Sequence, residues 1–316
     1  RNITKTTLSI QSLTTRDDYR SMESAIRALD AASSRSDQSE SVRAVVSTLS
    51  AALTTADSGN VATNRKLWDR YADAWGPDVE WVVSMRGQLE EVGPTSERGD
   101  GGGESAPSTR CVGDEWSDTQ SLAEVMEEFV YPFLNATTKA AEIGSGGGRI
   151  AIEVGPRVEH LTCFDISRSM LKRAKALLAA RGLESKTRFC LVGDERAYGA
   201  FEEAFDFLYC FDVMVHMDLH CIARHMRHIA SMLKPSGLAF VSTSNLMAPG
   251  GWNRFAKQEE YTVGGFYFTS PDVVRLLVQK AGLEIVKEGT PRASNVYLNR
   301  DFLLVLRKSS PRRAAT

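Results

Sequence analysis

No apolar run in this 316-residue chain approaches the roughly 18 residues needed to cross a membrane. Charge of one sign is missing too. Lys and Arg total 38 against 40 Asp and Glu, a net charge of −2, which leaves no electrostatic footprint for nucleic acid. The five cysteines, at 111, 163, 190, 210 and 221, include no C-x-x-C pair. They read as reduced, buried thiols of a cytosolic-type compartment. Metal chemistry has little to work with. His216 and His220 stand at i, i+4, but no third ligand follows at useful spacing and H-E-x-x-H is absent. The dinucleotide fingerprint G-x-G-x-x-G is incomplete as well, because Arg149 follows Gly148.

What stands there instead is the most informative stretch of the chain. Residues 139 to 149 read Lys-Ala-Ala-Glu-Ile-Gly-Ser-Gly-Gly-Gly-Arg. A strand-like approach ends in Glu142, and a helical pattern begins at Arg149. The alternate glycines Gly144, Gly146 and Gly148 free the backbone for positive φ and are expected to bring its N–H groups close to a ligand. Four further apolar runs follow at strand length: 160–165, 187–192, 205–210 and 238–243. Helical patterns separate them over 167–181 and 219–233. Asp165 closes the second run about 20 residues past the glycine turn, where nucleotide-binding sheets hold a ribose and where an acid also suits a plain helix N-cap. Asp194 closes the third within Gly193-Asp194-Glu195, a sequence that also suits a plain turn.

The run E-x-G-x-G-x-G resembles the first motif of class I S-adenosylmethionine (SAM)-dependent methyltransferases, and the later runs resemble that family in order and separation across 139–307. The Lys234-Pro235-Ser236-Gly237 turn before the fifth strand belongs to the same resemblance. It implies an α/β fold: a seven-stranded, Rossmann-like, doubly wound sheet whose last strand, 302–306, is antiparallel and inserted between strands five (238–243) and six (283–286). It implies SAM as cofactor and S-adenosylhomocysteine (SAH) as product. Glu142, Gly144, Ser145, Gly146, Gly148, Ile166, Met170, Glu195, Cys210 and Phe211 then join Asp165 (ribose) and Asp194 (adenine amine) as the cofactor set. The segment 211–217 resembles the one beside the transferable methyl group. His216 is placed there as a general base with an ordinary imidazole pKa, or as an anchor for the helix start, and Asp212 as an orienting group.

Outside the core, residues 1–120 read as a helical N-terminal extension and cap, 121–308 as the SAM domain, and 309–316 as a basic tail. Tyr19, Met22, Ile26 and Leu29, then Val42, Val45, Val46, Leu49 and Leu53, recur at helical spacing, suiting two short helices that pack on the core or on a second copy as a homodimer. A helix near 64–75 resembles a lead-in helix across the cofactor pocket, and its Tyr71 and Trp75 are expected as acceptor contacts. A Gly/Ser/Pro-rich loop spans 93–110. It ends near Gly113-Asp114-Glu115-Trp116, with Trp116 either over the cofactor or acceptor, or a buried anchor. An aromatic lid over 245–268 supplies Trp252, Tyr261 and Tyr267 as acceptor contacts, able to pack an apolar acceptor or cage a cationic one.

The expected activity is methyl transfer to an O, N or S atom of a small molecule, with nucleic acid and membrane excluded as partners. A base-modifying nucleic-acid or protein methyltransferase and a non-catalytic SAM-binding protein are the rivals. A soluble, cytoplasmic protein is expected, with an organellar leader upstream of Arg1 left open.

Overall fold

The computed structural model describes residues 60–85, 111–193 and 195–309. The chain divides into two compact units, Arg1–Ala62 and Thr63–Thr316, and the sheet belongs to the second. The two helices expected before residue 54, the loop at 93–110 and the tail beyond 309 lie outside the described residues.

Seven strands run β1 Lys139–Ile143, β2 His160–Asp165, β3 Thr187–Leu191, β4 Phe205–Cys210, β5 Leu233–Ser244, β6 Leu283–Glu288 and β7 Asp301–Lys308. They form one sheet in the order β3-β2-β1-β4-β5-β7-β6. β7 is antiparallel to both of its neighbours, and every other pairing is parallel. The expected topology holds, including the inserted last strand.

The helices are α1 Asn60–Ala74, α2 Thr119–Phe129, α3 Ala151–Val154, α4 Arg168–Ala180, α5 Leu219–Met232, α6 Pro249–Lys257, α7 Pro271–Lys280 and α8 Val296–Arg300. Alternation along each strand sends successive side chains to opposite faces. Ala141, Phe164, Leu208, Val241 and Leu304 therefore join α5 and α7 in one core cluster. Ala140, Cys163, Tyr209, Phe240 and Val305 join α2, α3 and α8 in the other. Burial on both faces is why β1, β4, β5 and β7 read as near-continuous apolar runs, while the edge strand β6 alternates. Each fully buried Leu or Phe contributes about 1.5–3 kcal/mol to this packing.

Two local expectations are corrected. The helix expected at Arg149 is only Ala151–Val154, because Gly155-Pro156 turns the chain into a 3-10 segment. The Lys234–Gly237 turn is a bulge inside β5 rather than a lead-in to it. Phe205 pairs with Leu233 but Phe207 pairs with Leu238, so 234–237 loop out over Asp206. Lys234 grips that carboxylate at 2.6 Å, and a Cβ at Gly237 would fall 2.8 Å from Phe205 O.

Strand order reverses direction between β1 and β4, which opens a crevice at their carboxyl ends. The glycine turn, Asp165 and the segment after Cys210 all arrive there. Among the described residues, no helix is long and apolar enough to cross a membrane.

Candidate functional site

The glycine turn is held by its own backbone. Gly144 N and Ser145 N donate to Phe164 O at 2.8 and 3.0 Å, and Gly148 N donates to Ser145 O at 2.9 Å. Gly146 N donates to Asp165 Oδ2 at 2.8 Å. These N–H groups are spent inside the protein, against the expectation that they turn to a ligand. A pyrophosphate needs such donors at the turn. A cofactor without phosphate does not.

Around the turn, steric room is uneven. A Cβ at Gly144 would fall 2.5 Å from Val213, and one at Gly148 would fall 3.0 Å from Leu178. A Cβ at Gly146 would meet nothing within 4 Å. Gly144 and Gly148 thus serve packing, whereas Gly146 faces open space at the head of the crevice. Ser145 Oγ, beside it, is buried without a hydrogen-bond partner.

Asp165 is 7% exposed. Burial raises its pKa to about 6, against the pull of N–H donors from Ser167 and Gly146. Those donors occupy one lone pair on each oxygen, Ser167 N to Oδ1 at 2.7 Å and Gly146 N to Oδ2 at 2.8 Å. A carboxylate has about four acceptor positions, so both oxygens can still accept from a ribose diol. Capping of α4 falls to Ser167, whose side chain accepts from Met170 N. Glu142 lies beside Cys163 and Tyr209 across the ladders, and burial holds its carboxyl well above the usual range.

α1 closes over this edge through residues the sequence did not single out. Arg65 donates to Ile166 O, Val192 O and Gly193 O at 3.2, 3.3 and 2.7 Å, clamping the ends of β2 and β3. Asp69 accepts from Ser167 Oγ at 2.6 Å and Ser169 N at 3.2 Å. The i, i+4 pair of opposite charges was the available signal, and it reads equally well as a solvated helix face. Met170 packs into an aromatic cluster with Tyr71 and Trp75, flanked by Trp68 and Trp116. Asp194 and the side chain of Glu195 lie outside the described residues.

Several assigned side chains do other work. Cys210 is fully buried in one core cluster, and Phe211 packs at 4.8 Å on Tyr297 in the other. Only their backbone can meet a ligand. Tyr71 spends its hydroxyl on Glu115, which also accepts from Gly113 N at 3.0 Å. Trp75 stacks under Arg173 and lines a cavity of about 220 Å³ on the α4 side, with Cys111 and Leu177. Trp116 sits against Gly264, where a Cβ would fall 3.2 Å from its ring. Trp252 is 55% exposed.

At the end of β4, cap and lid meet. His216 Nδ1 lies 2.7 Å from Gly265 O. A carbonyl only accepts, so Nδ1 carries the proton and Nε2 the lone pair. His216 O accepts from Asn64 Nδ2 at 2.9 Å, and the Tyr261 hydroxyl lies 3.0 Å from the same oxygen and 2.9 Å from Asn64 Oδ1. Burial lowers the His216 pKa despite the Gly265 bond and the Asp212 charge, so the ring is neutral at pH 7. Tyr267 rests on Tyr261 with ring centroids 4.7 Å apart.

Asp212, at the end of β4, is held by two arginines. It adopts φ +59, and its carboxylate binds Arg300 at 2.7 Å and Arg149 at 3.8 Å. Burial opposes ionisation, but the two guanidiniums outweigh it and hold the pKa below the usual range. Both of its oxygens face these cations.

The description of a methyltransferase domain matches residues 140–237, from β1 through the β5 bulge. The chain carries a SAM-dependent methyltransferase domain. None of the curated proteins matches the chain in sequence. Among solved structures, the cyclase SpnF is 17% identical over 61% of this chain and 82% of its own, with a TM-score of 0.47. Mitomycin 7-O-methyltransferase MmcR is 19% identical over 60% and 53%, with a TM-score of 0.49, so the aligned part is about half of that protein. A Pyrococcus horikoshii OT3 protein is 19% identical over 60% and 91%, with a TM-score of 0.48. None of them carries over an acceptor to this methyltransferase. Its cofactor is SAM.

Proposed function

We propose that the methyltransferase acts on an O, N or S atom of a small-molecule acceptor, held between the lid of 245–268 and the end of β4. The observation that carries this reading is the closure over His216: Asn64 from α1 and Tyr261 from the lid converge on its carbonyl. A site roofed from two sides suits a compact acceptor better than a polymer. The residues fit the cofactor, since Gly146 faces open space, Ser145 Oγ is an orphaned polar atom and Asp165 keeps acceptor capacity. Asp165 would hold the ribose and Glu142 the ammonium end, whose charge would ionise it.

When bound, SAM supplies an electrophilic methyl group for in-line displacement. The chain's part is alignment and exclusion of water. Trp68, Phe266 and the lid shield His216, with ring contacts at 5.2 and 5.5 Å. Nε2 of neutral His216 can take a proton from a hydroxyl acceptor, while the Nδ1 bond to Gly265 O fixes the tautomer. An amine or thioether acceptor needs only the positioning.

Incubation with methyl-labelled SAM and a fractionated cell extract tests this. Label should appear in the low-mass fraction. Label confined to nucleic acid or protein would overturn the small-molecule reading, and SAH binding without transfer to any fraction would point to a non-catalytic SAM-binding protein.

A further inference from the structure

The arginine cluster beside His216 carries one more positive charge than its carboxylates balance. Arg300 binds Asp301 through Nε at 2.8 Å and Nη2 at 2.6 Å, and reaches Asp212 at 2.7 Å. Arg149 takes the other Asp212 oxygen at 3.8 Å and donates to Tyr297 OH at 3.2 Å. Arg254, on α6, has no carboxylate among the described residues. It donates to Gly264 O at 2.7 Å. Its guanidinium lies 4.5 Å from the centroid of the Phe266 ring, and that of Arg300 lies 4.8 Å from the same centroid.

Two like charges therefore share one aromatic ring in a half-buried place. His216 touches that ring too, and donates its Nδ1–H to the carbonyl of the adjoining Gly265. A half-buried guanidinium without an anion is costly, and its fork of donors matches a carboxylate. The surplus is a single charge, which one carboxylate neutralises and a phosphate dianion would overshoot.

Resting on the proposed methyl transfer, we propose that Arg254 anchors a carboxylate on the acceptor, so that the enzyme's substrates are small carboxylic acids. The carboxylate would sit at the lid end of the site, with the atom to be methylated toward His216. SAM carries a carboxylate of its own, the other source of this chemistry. Arg254 reaches the site from the lid, whose Gly264 O it binds and whose Phe266 ring it faces, which favours the acceptor.

SAH binding to the wild-type protein is measured first by calorimetry. No binding would sink the methyltransferase reading itself. Matched acid and amide pairs (benzoate and benzamide, 4-hydroxybenzoate and 4-hydroxybenzamide, 3-phenylpropionate and its amide) are then titrated into SAH-loaded wild type, Arg254→Gln and Arg254→Lys. The wild type should prefer acids, Arg254→Gln should weaken them about ten- to hundredfold while leaving amides unchanged, and Arg254→Lys should restore part of the loss. Circular dichroism establishes that each variant is folded, and Arg254→Lys alone decides the matter if Arg254→Gln is not, since the lysine lacks the fork and should bind acids more weakly than wild type. Equal binding of acids and amides, no saturable binding of any acid, or an acid preference untouched in the variants would overturn the proposal. So would a loss of SAH affinity with 5′-methylthioadenosine unaffected, because the anion would then be the cofactor's own.

Discussion

Replacing Gly146 with Ala separates cofactor space from fold. Gly146 has φ +51, and its N–H is fixed to Asp165. An alanine there pays about 1–2 kcal/mol for the left-handed backbone. It meets no protein atom within 4 Å, so no packing penalty follows. Against a domain stability of about 5–15 kcal/mol, the variant should fold, with a melting temperature lower by about 2–4 °C per kcal/mol. Its methyl group enters the space assigned to the cofactor. An overpacking cost of about 1–3 kcal/mol there corresponds to a loss of SAH affinity of about five- to 150-fold. Gly144→Ala is the control, because its Cβ would fall 2.5 Å from Val213 and its φ is +75. It should melt lower than Gly146→Ala. Thermal melts and calorimetric SAH titration of both variants are the assay. A folded Gly146→Ala that binds SAH as tightly as wild type would refute the placement of the cofactor over the turn.

Three further outcomes are expected. SAH affinity should fall as pH drops through about 6, because Asp165, raised to about 6 by burial, accepts ribose hydroxyls best when ionised. Asp165→Asn should bind more weakly and lose that pH dependence, which titrations between pH 5 and 8 would show. With a hydroxyl acceptor, His216→Gln should lower turnover about 10²–10⁴-fold with SAH affinity unchanged, while the wild-type rate rises with pH through one ionisation below the ordinary histidine range; a flat wild-type profile would remove the base. Arg300→Met leaves Asp212 and Asp301 facing each other without their shared cation, at a cost of roughly 3–5 kcal/mol readable by urea denaturation, and an unchanged midpoint would show the network to be idle.

The core strands were legible because burial on both faces writes apolar runs into the sequence, and β2 and β4 were read to the residue. The place of β7 between β5 and β6 came from family resemblance, since no periodicity encodes strand order. At the site, the Asp165 position was readable from its spacing to the turn. The spending of the turn's N–H groups on Phe164 O and Asp165 was not, because it depends on how β2 lies beside the turn. Asp212 looked like an orienting acid in the linear motif. Its partners Arg149 and Arg300 are distant in sequence, and only the sheet brings them together. Arg65, Asp69 and Arg254 were missed for the same reason. A charged residue on an amphipathic helix looks solvated until its tertiary partner is known.

Calorimetric titration of the purified protein with SAH and, separately, with NAD tests the central claim most directly. A glycine turn with spent N–H groups, open space over Gly146 and an acceptor at Asp165 predict saturable SAH binding and none by NAD. Tight NAD binding with no heat from SAH would contradict the account at its base.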